Sequence, residues 1–128
     1  MVTEDYVSFE IAKLLKENGF DEPCYAYWHE DENRLIFSYS MHAIRNITNP
    51  CFFGPAVPTL QMAMKWLRKI HKLEIYPFHD MLQGNAWWYR IERNTGLSSV
   101  VEKEEDDIYR TYEQACEAAI KYCLENLI

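Results

Sequence analysis

Four cysteines (Cys24, Cys51, Cys116, Cys123) and four histidines (His29, His42, His71, His79) are the residues of this chain that could hold a metal or arm a nucleophile. A structural zinc site needs ligands in tight pairs, two to about five residues apart. Cys24 with His29 approaches that spacing and His42 with Cys51 is looser, but no second tight pair exists, so no metal site is expected. Cys116 and Cys123 share the Ala119 face of a predicted terminal helix, where a free thiol packs as a small hydrophobe. Cys51 beside a histidine, near a helix predicted to start at Thr59, could lower its pKa and act as a thiolate. No flanking signature accompanies it, so no catalytic residue is assigned and a non-enzyme is expected.

The remaining polar groups read as surface chemistry. Glu30-Asp31-Glu32 falls in a predicted hairpin turn and Glu102–Asp107 in a predicted solvated linker. His79-Asp80 beside Gln83-Gly84-Asn85 has the form of turn chemistry. Four glycines supply no phosphate-cradling loop and none sits in a calcium-binding frame, so no cofactor is expected.

Positioning these groups requires the elements themselves. Ser8 precedes FEIAKLLKEN, whose Ile11, Leu14 and Leu15 share a helical face that ends at Gly19. The β-rich runs 24–30 and 34–40 flank a polar turn and predict a hairpin. Pro58-Thr59 introduces a helix with Leu60, Ala63, Met64, Leu67 and Ile70 on one face. Lys65, Arg68, Lys69 and Lys72 lie on the opposite arc, with Trp66 at its margin. Strands follow at 73–79, held to an edge by Pro77, and at 86–93, which turns at Asn94-Thr95-Gly96 into LSSVVEK. Thr111 caps a closing helix, with Gln114 at the capping-box position. The expected fold is a single α+β domain, 1–128, in the order α-β-β-α-β-β-α. Its expected core is a mainly antiparallel four-stranded sheet with helices packed on one face.

The segments VPTLQMAMKWLRKIHKLEI, WWYRIE and YRTYEQACEAAIKYCLENLI resemble a family of small proteins from Bacteroides-type bacterial genomes and their phages or other mobile elements. The match covers the second half of the chain and, more loosely, the first helix. The resemblance implies an accessory, phage-related context and brings no catalytic residue with it.

Charge sharpens the choice of partner. The net charge is −7, with −7 on residues 1–33, +5 on 34–101 and −5 on 102–128. An acidic chain is a poor binder of the phosphate backbone, which argues against nucleic acid, and −7 on this length is thin for a DNA mimic. The basic arc of the second helix is then the polar face that any amphipathic helix needs. No apolar run approaches the ~20 residues of a membrane span. MVTEDYVSFE has no signal-peptide pattern, so a cytoplasmic location with reduced thiols is expected, and Asn46-Ile47-Thr48 is a chance glycosylation match.

The aromatic share, 15% of residues, is high, so these side chains carry the remaining signal. Tyr25 and Tyr27 oppose Ala26 and Trp28 by the period of two, and Trp87 and Tyr89 oppose Trp88 and Arg90, so rings fall on both sheet faces. The loop 41–58 sets Phe52 and Phe53 among three prolines, either as a cover on the sheet or as an anchor for a partner. Phe52, Phe53, Tyr25, Tyr27, Trp87 and Tyr89 are the candidate contact residues. Together they predict a non-enzymatic protein-interaction or accessory module with a protein partner or self-association. The alternative is a small-ligand or nucleic-acid-binding domain using an aromatic sheet face.

Overall fold

The Ser8 hydroxyl accepts the Ile11 N–H at 3.3 Å and starts α1, Phe9–Glu17, which buries Ile11, Ala12 and Leu15. Gly19, at φ 88°, takes the left-handed position that ends the helix, and the Phe20 N–H returns to the Leu15 carbonyl at 2.9 Å. The computed structural model describes residues 2–38, 47–80, 82, 84–105 and 107–128. The protein is α+β, and its chain divides into two compact units, Met1–Thr59 and Leu60–Ile128.

In the first unit β1 (Ala26–His29) and β2 (Arg34–Phe37) form the expected hairpin, with Ala26 opposite Phe37 and His29 opposite Arg34. Asn33 turns it at φ 52°, a conformation that asparagine tolerates better than most residues. A two-residue strand, β3 (Ala56–Val57), pairs with the other edge of β1, giving the order β2-β1-β3.

The second unit begins with α2 (Leu60–His71), followed by β4 (Leu73–Asp80), β5 (Ala86–Asn94) and β6 (Ser99–Glu104), and closes with α3 (Tyr112–Asn126). The strands form an antiparallel meander in the order β4-β5-β6, with Pro77 on an edge strand as its missing N–H requires. Leu73, Ile75, Tyr89 and Ile91 pack with Leu60, Leu67, Ala119 and Ile120 in the buried core. On α2 the buried arc is filled by Trp66, and Ile70 in the last turn is 58% exposed, which reverses the expectation for both. Thr111 caps α3 by accepting the Gln114 N–H, while the Gln114 side chain accepts the Arg110 N–H instead of closing on the cap.

The expected single four-stranded sheet is therefore corrected to two three-stranded antiparallel sheets. The observed order is α-β-β-β-α-β-β-β-α. One strand, β3, escaped the pattern, and the hairpin arm expected at LSSVVEK is β6, which runs on to Glu104 in the acidic segment. Two residues are too short to show a period in β3. In β6 the acidic run read as linker becomes strand because Arg93 meets Glu102 at 2.8 Å and Arg90 meets Glu104 at 3.2 Å. A register shift between Ile91 and Glu92 leaves Glu102 as the extra residue between Val101 and Lys103. Among the described residues no helix is long and apolar enough to cross a membrane.

Arg93 closes this unit. Its guanidinium donates to the Leu127 carbonyl at 2.9 Å and the His71 carbonyl at 3.4 Å, at the ends of α3 and α2. The His71 ring lies edge-on to Trp66 at 4.8 Å, with its Nε2 occluded and without a hydrogen-bond partner. Burial first, then the Arg93 charge, push its pKa below the usual 6.5. The folded protein therefore binds this proton less readily than the unfolded chain. Stability from this group is intact above pH 6.5 and falls as the pH drops below it toward the folded value. His71→Gln is expected to flatten that segment of the wild-type curve, as read by urea midpoints at pH 7.5, 6.5 and 5.5; parallel curves would refute the assignment.

Candidate functional site

Alternation along β1 places Tyr25, Tyr27 and His29 on one face and Ala26 and Trp28 on the other. The second face is covered within the unit: Phe9 of α1 stacks on Trp28 with centroids 5.3 Å apart. The first face meets the loop that follows residue 46. Phe53 lies nearly parallel to His29 at 4.8 Å and to Tyr27 at 6.0 Å, and Phe52 stands edge-on to Phe53 at 5.1 Å. Phe53 is 46% exposed and Phe52 92%. The two readings of this loop are thus divided between neighbours: Phe53 covers the sheet, and Phe52 projects from it.

Main-chain bonds hold the loop in that place. The Glu30 N–H donates to the Phe53 carbonyl at 3.1 Å and the Trp28 N–H to the Pro55 carbonyl at 3.0 Å, continuing the β1–β3 ladder. Asn49 pins the loop's base, donating to the Phe20 carbonyl and accepting the Ala56 N–H, each at 2.9 Å. Gly54 lies so close to β1 that a Cβ there would sit 1.8 Å from the Trp28 carbonyl oxygen. The adjoining turn carries Glu30, Asp31 and Glu32, all exposed, with Arg34 paired to Glu32 at 2.9 Å.

The other candidates go elsewhere. Tyr25 lies just before β1 and is partly exposed. Tyr89 is 2% exposed in the second unit's core, with its hydroxyl donating to Glu105 at 3.1 Å. Burial, then the Glu105 charge, raise its pKa well above the ordinary phenol value. Trp87 is edge-on to Tyr112 of α3 at 5.5 Å and pairs through its backbone with Tyr109, so both rings belong to the helix-covered face. The uncovered face carries residues that were not singled out: Phe78 and Trp88 stack at 4.5 Å, with Arg90 over Phe78 at 5.4 Å. The register Phe78↔Trp88 that joins them spans a turn and is invisible to a period read along one strand. His29, by contrast, shares the parity of Tyr25 and Tyr27.

Lys65, Arg68, Lys69 and Lys72 are all exposed; Arg68 pairs with Glu74 at 3.3 Å, and Lys72 Nζ donates to the Lys69 carbonyl at 3.0 Å. His79 and Asp80 bond the Gly84 carbonyl and the Leu82 N–H, which is turn chemistry. Gln83 lies outside the described residues, as do His42 and the 41–46 part of the loop. Cys24, Cys116 and Cys123 are buried and Cys51 is half-buried, all as free thiols. Burial pushes Cys116 up to about 11 and Cys123 up to about 12. Among the described residues no group of three or more His, Cys, Asp or Glu side chains could hold a metal ion. Compared with protein-family models, curated proteins and solved structures, the chain matches none.

Two outcomes follow from this geometry. Gly54→Ala is expected to lower unfolding free energy by about 2–3 kcal/mol, since a methyl group must displace main chain, and a urea titration reads it. An unchanged midpoint would dissolve the close-approach argument. At pH 7.5 a thiol reagent is expected to label Cys51 alone in the native protein and all four cysteines in denaturant. Fast native labelling of Cys116 or Cys123 would contradict their burial.

Proposed function

We propose that this protein is a non-enzymatic interaction module whose contact surface is the aromatic patch of Phe52, Phe53, Tyr27 and His29. The observation that carries the reading is Phe52, which is 92% exposed at the tip of a loop pinned on both sides by main-chain bonds. A phenylalanine in water gains nothing for its own fold, whereas burial in a contact recovers about 1.5–3 kcal/mol. The rigid loop removes much of the ordering cost that a partner would otherwise face. The partner proposed is a second copy, because a two-fold contact sets the same patch against itself and is the commonest form of assembly. The proposal puts the module in the cytoplasm, in the accessory, mobile-element role that the resemblance of its second half implies.

Light scattering across a concentration series tests this. The mass is expected to rise from 15.3 kDa toward twice that value. Each copy carries −7, so added salt is expected to strengthen the dimer by screening repulsion, whereas a complex with a basic partner would weaken. Phe52→Ser is expected to hold the protein monomeric with a melting temperature within about 2 °C of wild type, since so exposed a ring contributes little to the fold. A constant 15.3 kDa up to about millimolar protein would reject the reading, and so would a dimer indifferent to Phe52→Ser.

A further inference from the structure

The second unit carries a separate groove of about 180 Å³ lined by Arg68, Lys72, Glu74, Tyr76, Glu92, Asn94 and Ser99. Glu74, Tyr76 and Glu92 alternate with the buried Ile75 and Ile91, so they line the face of β4 and β5 that the helices leave open. Arg68 and Lys72 reach it from the end of α2 and the residue that follows. The lining has two cations, two carboxylates, an amide, a hydroxyl and one phenol ring. Its volume is well below the roughly 300–1,000 Å³ of pockets for drug-sized ligands.

Two departures from what the fold would choose for itself meet here. Glu74 and Glu92 are directly opposite each other across β4 and β5, where like charges destabilise a ladder. Lys72 stands at φ 61°, in the left-handed position where a helix ordinarily ends on glycine. Its Nζ contact with the exposed Lys69 carbonyl is slight compensation for a strained backbone. The first departure supplies the groove with two negative charges and the second with a positive one.

The charges have partners within the protein that a ligand would exchange or share. Arg68 meets Glu74 at 3.3 Å with 49% of its side chain exposed, and Arg90 is 3.7 Å from Glu92. The half-exposed Arg68 can exchange its partner for a ligand carboxylate, since exposed ion pairs are worth only about 0–1 kcal/mol. The Glu92 carboxylate also accepts the Ser99 hydroxyl at 2.8 Å, which fixes its direction in the groove. Tyr76, 40% exposed, offers a ring beside both carboxylates, a surface suited to a cation or a short apolar chain.

We propose that this groove binds a small zwitterion of free amino-acid size. Its carboxylate would meet Arg68 and Lys72, and its ammonium would lie between Glu74 and Glu92 over Tyr76. An anion alone would face both glutamates, and a cation alone both bases; a molecule with both charges satisfies each end.

The test is an NMR titration of the isotope-labelled full chain with a panel of free α-amino acids, alongside acetate and methylammonium as the separated halves. At least one amino acid is expected to give saturable shifts at residues 74, 92, 94 and 99, and to bind at least tenfold more tightly than either half. Lys72→Gly and Glu92→Gln are each expected to weaken it tenfold or more. Lys72→Gly relaxes the backbone, so its melting temperature should not fall, which separates lost binding from lost folding. The proposal fails if no amino acid gives saturable shifts up to about 50 mM, far above a millimolar dissociation constant. It also fails if either half binds as tightly as the whole, or if Lys72→Gly binds like wild type.

Discussion

One guanidinium sets the geometry of the second unit. The carbonyls at a helix C-terminus have no partners inside the helix and sit at the negative end of its dipole. Arg93 answers two such ends at once, the His71 carbonyl at the close of α2 and the Leu127 carbonyl at the close of α3, while Glu102 balances its charge. Hydrogen bonds to a charged donor are worth about 1.5–3 kcal/mol each, so this is a firm tie between β5 and both helix ends. It explains the irregularity in β6: a regular ladder has no place for the extra residue whose carboxylate meets Arg93. After burial, it is the second reason the His71 pKa lies below its usual value, since a second cation beside the guanidinium would work against the arrangement.

The first unit solves its problem with an amide and a missing side chain. A segment with almost no regular structure must lie along β1 with its polar groups satisfied. Asn49 supplies one donor and one acceptor at its base, and the backbone of 53–57 supplies the rest. Only glycine permits the approach at residue 54. Phe53 follows from that constraint, because a main chain held so close to β1 lays its side chain on Tyr27 and His29. Phe52 does not follow from it, since the same backbone would carry a polar residue there.

Legibility in the sequence tracked locality. Ser8 and Thr111 cap helices because capping is decided within four residues, and both were readable. The hairpin at Asn33 and the edge placement of Pro77 were readable for the same reason. Non-local facts were not. Ala56-Val57 becomes a strand because β1 lies beside it, and β6 extends past the expected arm LSSVVEK to Glu104, where Arg90 stands across the ladder. The aromatic face of β1 was readable from parity, but parity does not say which face the helices take. Trp87 and Tyr89 were therefore assigned to contact when they are packed beneath α3 and its preceding loop. Of the groove only the basic side, Arg68 and Lys72, is legible along the chain, because Glu74 meets Glu92 through a cross-strand register.

Where the chain departs from local rules is itself informative. Its helix caps and hairpin turns follow what stability favours, so each departure can be weighed against them. Serine at 52 or glycine at 72 would each be acceptable to the fold, and the second would relieve a left-handed backbone. Two of the departures are an aromatic tip on a pinned loop in one unit and a mixed-charge groove on the helix-free sheet face in the other. Neither place adds to the buried core. Both put into solvent the kind of side chain, an anchoring ring or an underused charge, whose cost to folding is recovered only by something outside the fold.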